Sequence, residues 1–445
     1  MMNRGLLLDM LNAALAAVDP YRAVTRALRV EGSRVAAGGS VYDLNIFDRV
    51  LVIGAGKATA SMAAAVEDVL GGRIDRGVIV VKYGHAGNLR KIEQVEAAHP
   101  VPDEAGVQGT QRILELVRRT DEKTLVICLL SGGGSSLLVA PHRGITLEDK
   151  QRTTELLLKA GATIDEMNTV RKHLSAVKGG RLAQIAHPAT VLTLILSDVI
   201  GDRLDVIASG PTTSDSTTFS DAAAVIERYR LKATLPGPVN AFVERGIAGQ
   251  EPETARSVDA CFLRTRNVIV GSNAQALAAV REKVAALGWR PEVVTTELSG
   301  DVRDAARLLA RKAVAALDEM TQGEKRCLLS GGETTVVVRG TGKGGRNQEL
   351  ALAFALEIAG VEGITLLSAG TDGTDGPTDA AGAVVDGSTA AAARSIGIHP
   401  EVYLGNNDSY AFFRRIDSLL GEKHHILIGP TGTNVMDIQI ILVQR

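Results

Sequence analysis

Apolar positions fall into two rhythms along this chain. Short unbroken runs, such as Val50-Leu51-Val52-Ile53, Gly77-Val78-Ile79-Val80-Val81, Thr124 to Leu130 and Val191 to Leu196, read as strands buried on both faces. Between them, apolar residues recur every three or four positions, as in Leu6, Leu7, Met10, Leu11, Ala14 and Val18, which predicts helices. Further helices are predicted over Tyr21–Leu28, Ser61–Leu70, Asp103–Arg119, Leu147–Ala160, Ile164–Leu174, Val302–Leu317 and Asn347–Ile358. Strand and helix in alternation is the βα pattern of a mostly parallel sheet, with strand-end loops gathered on one edge. After Asn267–Gly271 a second strand–turn–helix series begins. His425–Ile428 and Asp437–Val443, joined by a Gly/Pro-rich turn, predict a closing antiparallel hairpin.

One strand-to-turn design occurs twice. Cys128-Leu-Leu-Ser131-Gly132-Gly133-Gly134-Ser135-Ser136 and Cys327-Leu-Leu-Ser330-Gly331-Gly332-Glu333 are both apolar runs entering turns of small residues, where backbone N–H groups can gather round an anion. Gly54-Ala55-Gly56-Lys57 offers a third turn between strand and helix, lacking the third glycine of a dinucleotide fingerprint and the spacing of a P-loop. Lys57 is the first candidate to touch a transferring phosphate. Arg346, after two glycines at a predicted helix start, is the second. Asp198, at a predicted strand end, and Asp372 and Asp375, in a glycine turn, are candidate magnesium ligands. Glu333 is a further carboxylate candidate, standing where the first copy of the loop has Gly134. Arg171, Lys172 and His173 on one predicted helix suggest an anionic substrate, and Asn407 joins them as a substrate-side candidate. No Ser/Asp/His signature and no metal-ligand spacing of His or Cys is present in the sequence.

Size and composition narrow the setting. At 445 residues the chain is long enough for two or three domains, and the less regular stretch near 235–265 places a break there. The expected domains are 1–245 and 246–445. With 49 Lys+Arg against 51 Asp+Glu, the net charge of −2 gives no general pull toward nucleic acid or anionic membrane. Three cysteines make no disulfide framework, and the absence of a long apolar window or a secretory h-region leads to the expectation of a cytoplasmic protein without a membrane span.

Gly54-Ala-Gly-Lys-Ala58, Leu130-Ser-Gly-Gly-Gly-Ser-Ser136, Asn168-Thr-Val-Arg-Lys-His-Leu-Ser175, Lys343-Gly-Gly-Arg-Asn-Gln-Glu349 and Gly370-Thr-Asp-Gly-Thr-Asp-Gly376, taken together, resemble the glycerate 2-kinases that join an amino-terminal DUF4147-type domain to a carboxyl-terminal MOFRL domain. The resemblance covers nearly the whole chain. It implies two α/β/α Rossmann-like domains with mostly parallel sheets and an interdomain cleft. It also implies magnesium-dependent transfer of the ATP γ-phosphoryl group to the 2-hydroxyl of D-glycerate, within glyoxylate and serine metabolism, by a monomer or homodimer. By similarity, Lys57 and Arg346 match positions proposed for catalysis or substrate binding. On this reading the cofactor-side loops are Gly54, Gly56, Ser131 to Ser135 and Gly331 to Glu333. Arg346 or Arg171 holds the carboxylate of glycerate, and Asp198 or Asp372 orients its hydroxyl. Some related sequences carry the name hydroxypyruvate reductase, so an NAD(P)H-dependent reductase is the rival enzyme. A nucleotide- or phosphosugar-binding regulatory module is the nonenzymatic alternative.

Overall fold

The computed structural model describes residues 3–445, which form two compact units. Pro20–Val270 makes one; the residues up to Asp19 join Gly271–Arg445 in the other. These limits differ from the 1–245 and 246–445 division: the first helix goes with the carboxyl-terminal part, and the segment around 246–270 stays with the amino-terminal part. The sequence signal was a drop in periodicity near 235–265. The backbone there forms helix Gly237–Ile247, a loop and an edge strand of the first unit.

In the Pro20–Val270 unit, β1 (Arg29–Glu31), β2 (Arg34–Ala37) and β3 (Ser40–Asp43) form a small antiparallel sheet. The main sheet contains β4 (Arg49–Ala55), β5 (Arg76–Lys82), β6 (Ile92–Ala97), β7 (Thr124–Leu130), β8 (Thr190–Leu196) and β9 (Thr265–Gly271), in the order β6-β5-β4-β7-β8-β9. The pairings from β6 through β8 are parallel. Both faces are covered, as unbroken apolar strands require. Ile53, Val80, Cys128 and Leu130 pack with Ile113, Leu114 and Val117 of helix Glu104–Val117, while the alternate residues Val52, Ile79, Ile127 and Leu129 are equally buried. Helix Thr59–Leu70 packs against β4, β5 and β7. A separate helical layer buries Leu157, Val170, Phe219 and Phe242.

The other unit holds β10 (Arg290–Leu298), β11 (Lys325–Gly332), β12 (Ile364–Gly370), β13 (Gly382–Asp386), β14 (His425–Ile426) and β15 (Asp437–Gln444), ordered β10-β11-β15-β12-β13-β14. Only β10 and β11 pair in parallel; the other four pairings are antiparallel. This sheet therefore departs from the expected mostly parallel pattern. The last strand inserts, reversed, between β11 and β12, pairing with both. The closing hairpin is not formed for the same reason: β14 pairs with β13, and β12 and β13 separate it from β15. The Gly429–Thr433 connection is a crossing loop, held by Thr431 Oγ1 donating to the Thr371 carbonyl at 2.6 Å.

The three cysteines are buried free thiols, and no helix among the described residues is long and apolar enough to cross a membrane.

Candidate functional site

Parallel register decides which loops meet in the Pro20–Val270 unit. Ala55 pairs with Leu130 and Leu130 with Ile195, so β4, β7 and β8 end level with one another. The next residues along each strand are Gly56-Lys57, Ser131 to Ser135, and Ser197-Asp198. The site is thus built at the carboxyl ends of three neighbouring strands, where open parallel sheets bind ligands.

Close backbone approach shapes this edge. The Lys57 N–H donates to the Gly132 carbonyl at 2.8 Å, and the Ala58 N–H donates to Ser131 Oγ at 3.0 Å. Gly56 has φ +146°, and a Cβ there would overlap Ser131 Oγ. Ser131 is buried and also meets Thr59 Oγ1 at 3.1 Å. Its hydroxyl therefore holds the Lys57 turn in place. Gly54 lies against the Leu129 carbonyl within the sheet.

Gly132 has no room for a side chain because Asp198 Oδ2 occupies that space, only 2.5 Å from where a Cβ would sit. At Gly133, His99 Cδ2 would lie 2.9 Å and Lys57 Cγ 3.4 Å from a Cβ. The two glycines thus let Asp198, His99 and Lys57 close in on the turn. Burial pushes the Asp198 carboxyl above its usual value, and the Lys57 charge pulls it partly back. Burial, then the charges of Lys57, Lys82 and His85, lowers His99 to about 4, so its imidazole is neutral. A cation, a carboxylate of raised basicity and a neutral imidazole around a glycine turn can bind phosphate and move a proton. From the sequence His99, like His85 and His173, is a residue that could orient a substrate or donate hydrogen bonds.

Ser135 faces a second group of cations. Its hydroxyl accepts from Arg171 Nη2 at 2.7 Å and Lys178 Nζ at 3.2 Å, and meets Ser209 Oγ at 2.8 Å. Lys172 and His173 do not join Arg171. Lys172 is buried beside Asp215, Nζ to Oδ1 3.3 Å, and His173 is fully buried between the Thr169 carbonyl, Glu253 and the ring of Phe219. One helical turn spreads three adjacent residues over different directions, so adjacency in sequence misled here.

The other unit has its own charged cluster. Gly332 pairs with Asp437 across β11 and β15, which brings the second glycine turn beside the first residue of β15. Arg346, opening helix Arg346–Glu357, donates from Nε and Nη2 to Asp437 at 2.5 and 3.0 Å and from Nη1 to Glu333 at 2.6 Å. Burial opposes the Arg346 charge, but these carboxylates more than offset it and its pKa is raised. Asp437 is buried and its pKa is raised by that burial. The sequence reading missed Asp437; only its place just after a turn in an apolar strand marked it. Substituting Arg346 with Met should cost about 2–3 kcal/mol, below the full range for breaking a buried pair because Arg346 is partly exposed. Urea unfolding of both proteins measures it, and an unchanged midpoint would contradict the role given to this pair.

The two expected aspartate ligands in this unit are committed elsewhere. Asp375 accepts the N–H groups of Asn347 and Gln348 at 3.0 and 2.9 Å and the Gln348 amide at 3.0 Å, capping helix Arg346–Glu357 from a distant loop. Burial raises it to about 6 even against these donors. Asp372 closes its own turn through the Thr374 N–H at 3.0 Å. Among the described residues no three His, Cys, Asp or Glu side chains form a metal-holding group. Asn407 also serves the fold: its Oδ1 accepts from the Arg339 and Gly340 N–H groups, and its amide donates to Glu349. Gly331 leaves space for Asn273, whose amide ties together the Val435 and Asp437 carbonyls.

Residues 6–244 match the family described as a domain of unknown function, DUF4147, and residues 326–437 match the MOFRL family. The chain is 45% identical over 441 residues to the D-glycerate 2-kinase of Thermotoga maritima, covering 98% of each. It is 41% identical over 438 residues to the glycerate 2-kinase of Pyrococcus horikoshii, covering 98% of this chain and 96% of that one. The crystal structure of a Thermotoga maritima glycerate kinase superposes with a TM-score of 0.86 at 42% identity, covering 99% of both chains.

Proposed function

Because the chain belongs to the DUF4147–MOFRL family of glycerate kinases, we propose that it transfers the terminal phosphoryl group of ATP to the 2-hydroxyl of D-glycerate, releasing 2-phosphoglycerate and ADP. The observation that carries this reading is the convergence of Lys57 and Asp198 on the Gly132–Gly133 turn.

The chemistry asks for positioning and charge compensation more than for covalent catalysis. Lys57 offsets charge on the phosphate oxygens. The 2-hydroxyl oxygen attacks the terminal phosphorus as the bond from that phosphorus to the bridging oxygen breaks, and ADP leaves with the electron pair. The hydroxyl proton passes to Asp198, whose raised pKa suits it to accept one. Neutral His99 adds no competing positive charge and can hydrogen-bond the substrate.

Magnesium needs few protein ligands when phosphate oxygens supply the rest. Asp198 is the carboxylate of this site that would help hold such an ion, which would neutralise phosphate charge. Asp375 does not fit that task, since both its oxygens accept from backbone and amide donors, whereas Asp372 accepts only at Oδ1, from Thr374.

Purified protein with D-glycerate, ATP and magnesium, followed by phosphorus NMR, tests the reading directly. A phosphate ester coupled to the C2 proton is expected. Hydroxypyruvate consumption with NAD(P)H and no ester formation would replace it with the reductase.

A further inference from the structure

The Pro20–Val270 unit carries an open cavity of about 880 Å³ lined by His99, Gly133 and a cluster of cations. Lys150, Arg171 and Lys178 all line it, with Ser135 between them. Lys178 is almost fully buried and donates to the Ser135 and Ala208 carbonyls at 2.7 and 3.3 Å as well as to Ser135 Oγ. Lys150 is different. It is 7% exposed, and its buried Nζ makes no hydrogen bond.

An ammonium with three unused donors, taken out of water next to two more cations, is an expensive arrangement for a fold to keep. Burial and then the charges of Arg171 and Arg181 lower Lys150 to about 7. Lys178 is lowered well below its usual value by burial, Arg171 and Lys150. The acidic residues on the cavity wall, Glu148 and Glu155, do not relieve this: no carboxylate is among the groups that act on either lysine. Arg152 on the same wall adds positive charge, and His99 is neutral. What would satisfy Lys150 is an anion supplied from outside.

We propose that Lys150, Arg171, Lys178 and the Ser135 hydroxyl form an oxyanion socket, and that Lys150 takes up a proton when a carboxylate or phosphate enters it. Lys150 is then a binding residue for an anionic reactant, with its ammonium formed on demand. The sign follows from linkage. Above pH 7 free Lys150 is mostly neutral, an anion beside it raises its proton affinity, and binding therefore consumes a proton from solution.

The choice of ligands rests on the kinase reading, but the proton count does not, because it is taken without turnover. Titration calorimetry at pH 8 in two buffers of different ionisation enthalpy would use D-glycerate as the carboxylate probe and ADP as the phosphate probe. Uptake approaching one proton is expected with at least one of them. Uptake with D-glycerate assigns the socket to the acid; uptake with ADP alone assigns it to the nucleotide. Lys150→Met should abolish the uptake and weaken that ligand roughly tenfold or more, the scale of losing a hydrogen bond to a charged group. Lys150→Gln provides a second variant should Met perturb folding, with thermal unfolding as the check on both. No proton uptake with either probe, or uptake unchanged in a folded Lys150 variant, would overturn the proposal. A wild-type protein that binds with proton uptake yet forms no phosphate ester would leave the socket standing and remove the kinase.

Discussion

Replacing Lys57 with Ala is expected to lower kcat about a thousandfold, on the scale of removing a preorganised charged donor from a reacting oxygen. The fold should not notice. What Lys57 gives the structure comes from its backbone: the N–H to Gly132 and the carbonyl that His85 Nδ1 reaches at 3.0 Å. Alanine keeps both, so thermal unfolding should shift little while steady-state phosphoryl transfer collapses. The lysine charge also acts on its neighbours, lowering Asp198 and His99. Its removal should therefore raise both groups, which proton NMR of the His99 imidazole can follow. Near-normal turnover in the alanine protein would take Lys57 out of the reaction.

Asp198→Asn should cost roughly 10²–10⁴ in kcat, the range for losing a positioned general base. The pH profile separates this from a loss of shape. In the wild-type protein activity rises with pH as Asp198 gives up its proton, and burial places that limb above the ordinary carboxylate range. The Asn protein should lack this limb. Stability moves the other way. A carboxyl whose folded pKa is raised favours the native state while protonated, and that contribution is lost as pH climbs from its unfolded value near 3.8 through the folded one. At neutral pH the Asn protein should consequently melt no lower than wild type. A variant that melts lower and retains the acid limb would assign Asp198 to packing and leave the proton to another group.

The sequence was a good guide where local pattern and tertiary outcome agree. Unbroken apolar runs became the parallel strands β4, β5, β7 and β8, and the predicted helix over Leu147–Ala160 is observed as Leu147–Lys159. Lys57 and Asp198 were recognisable because both follow such runs, and parallel register then aligned them. Three things lay beyond reach. The insertion of β15 between β11 and β12 depends on long-range pairing, which leaves no trace in a strand's own composition. Lys172 and Arg171 are adjacent, yet only tertiary packing reveals that one meets Asp215 and the other Ser135. Lys150 carried no signal, being one charged residue among many on a helix that reads as amphipathic; its significance comes from the cavity it lines. Asp375 shows the reverse error, since a glycine turn with two aspartates suggested an ion where the fold uses one of them as a remote helix cap.

Helix Arg4–Ala17 buries Leu7, Met10, Leu11 and Ala14 and packs on helix Asn273–Ala286, while Thr433 Oγ1 donates to the Val18 carbonyl at 2.8 Å. Its docking surface is thus encoded far downstream of it. During synthesis this oily stripe must wait, uncovered, until helix Asn273–Ala286 and the Thr433 loop have been translated. Chaperone demand should accordingly peak late in translation, and a gene permuted to begin at Gly271, with the leading helix joined after Arg445, would shorten that wait.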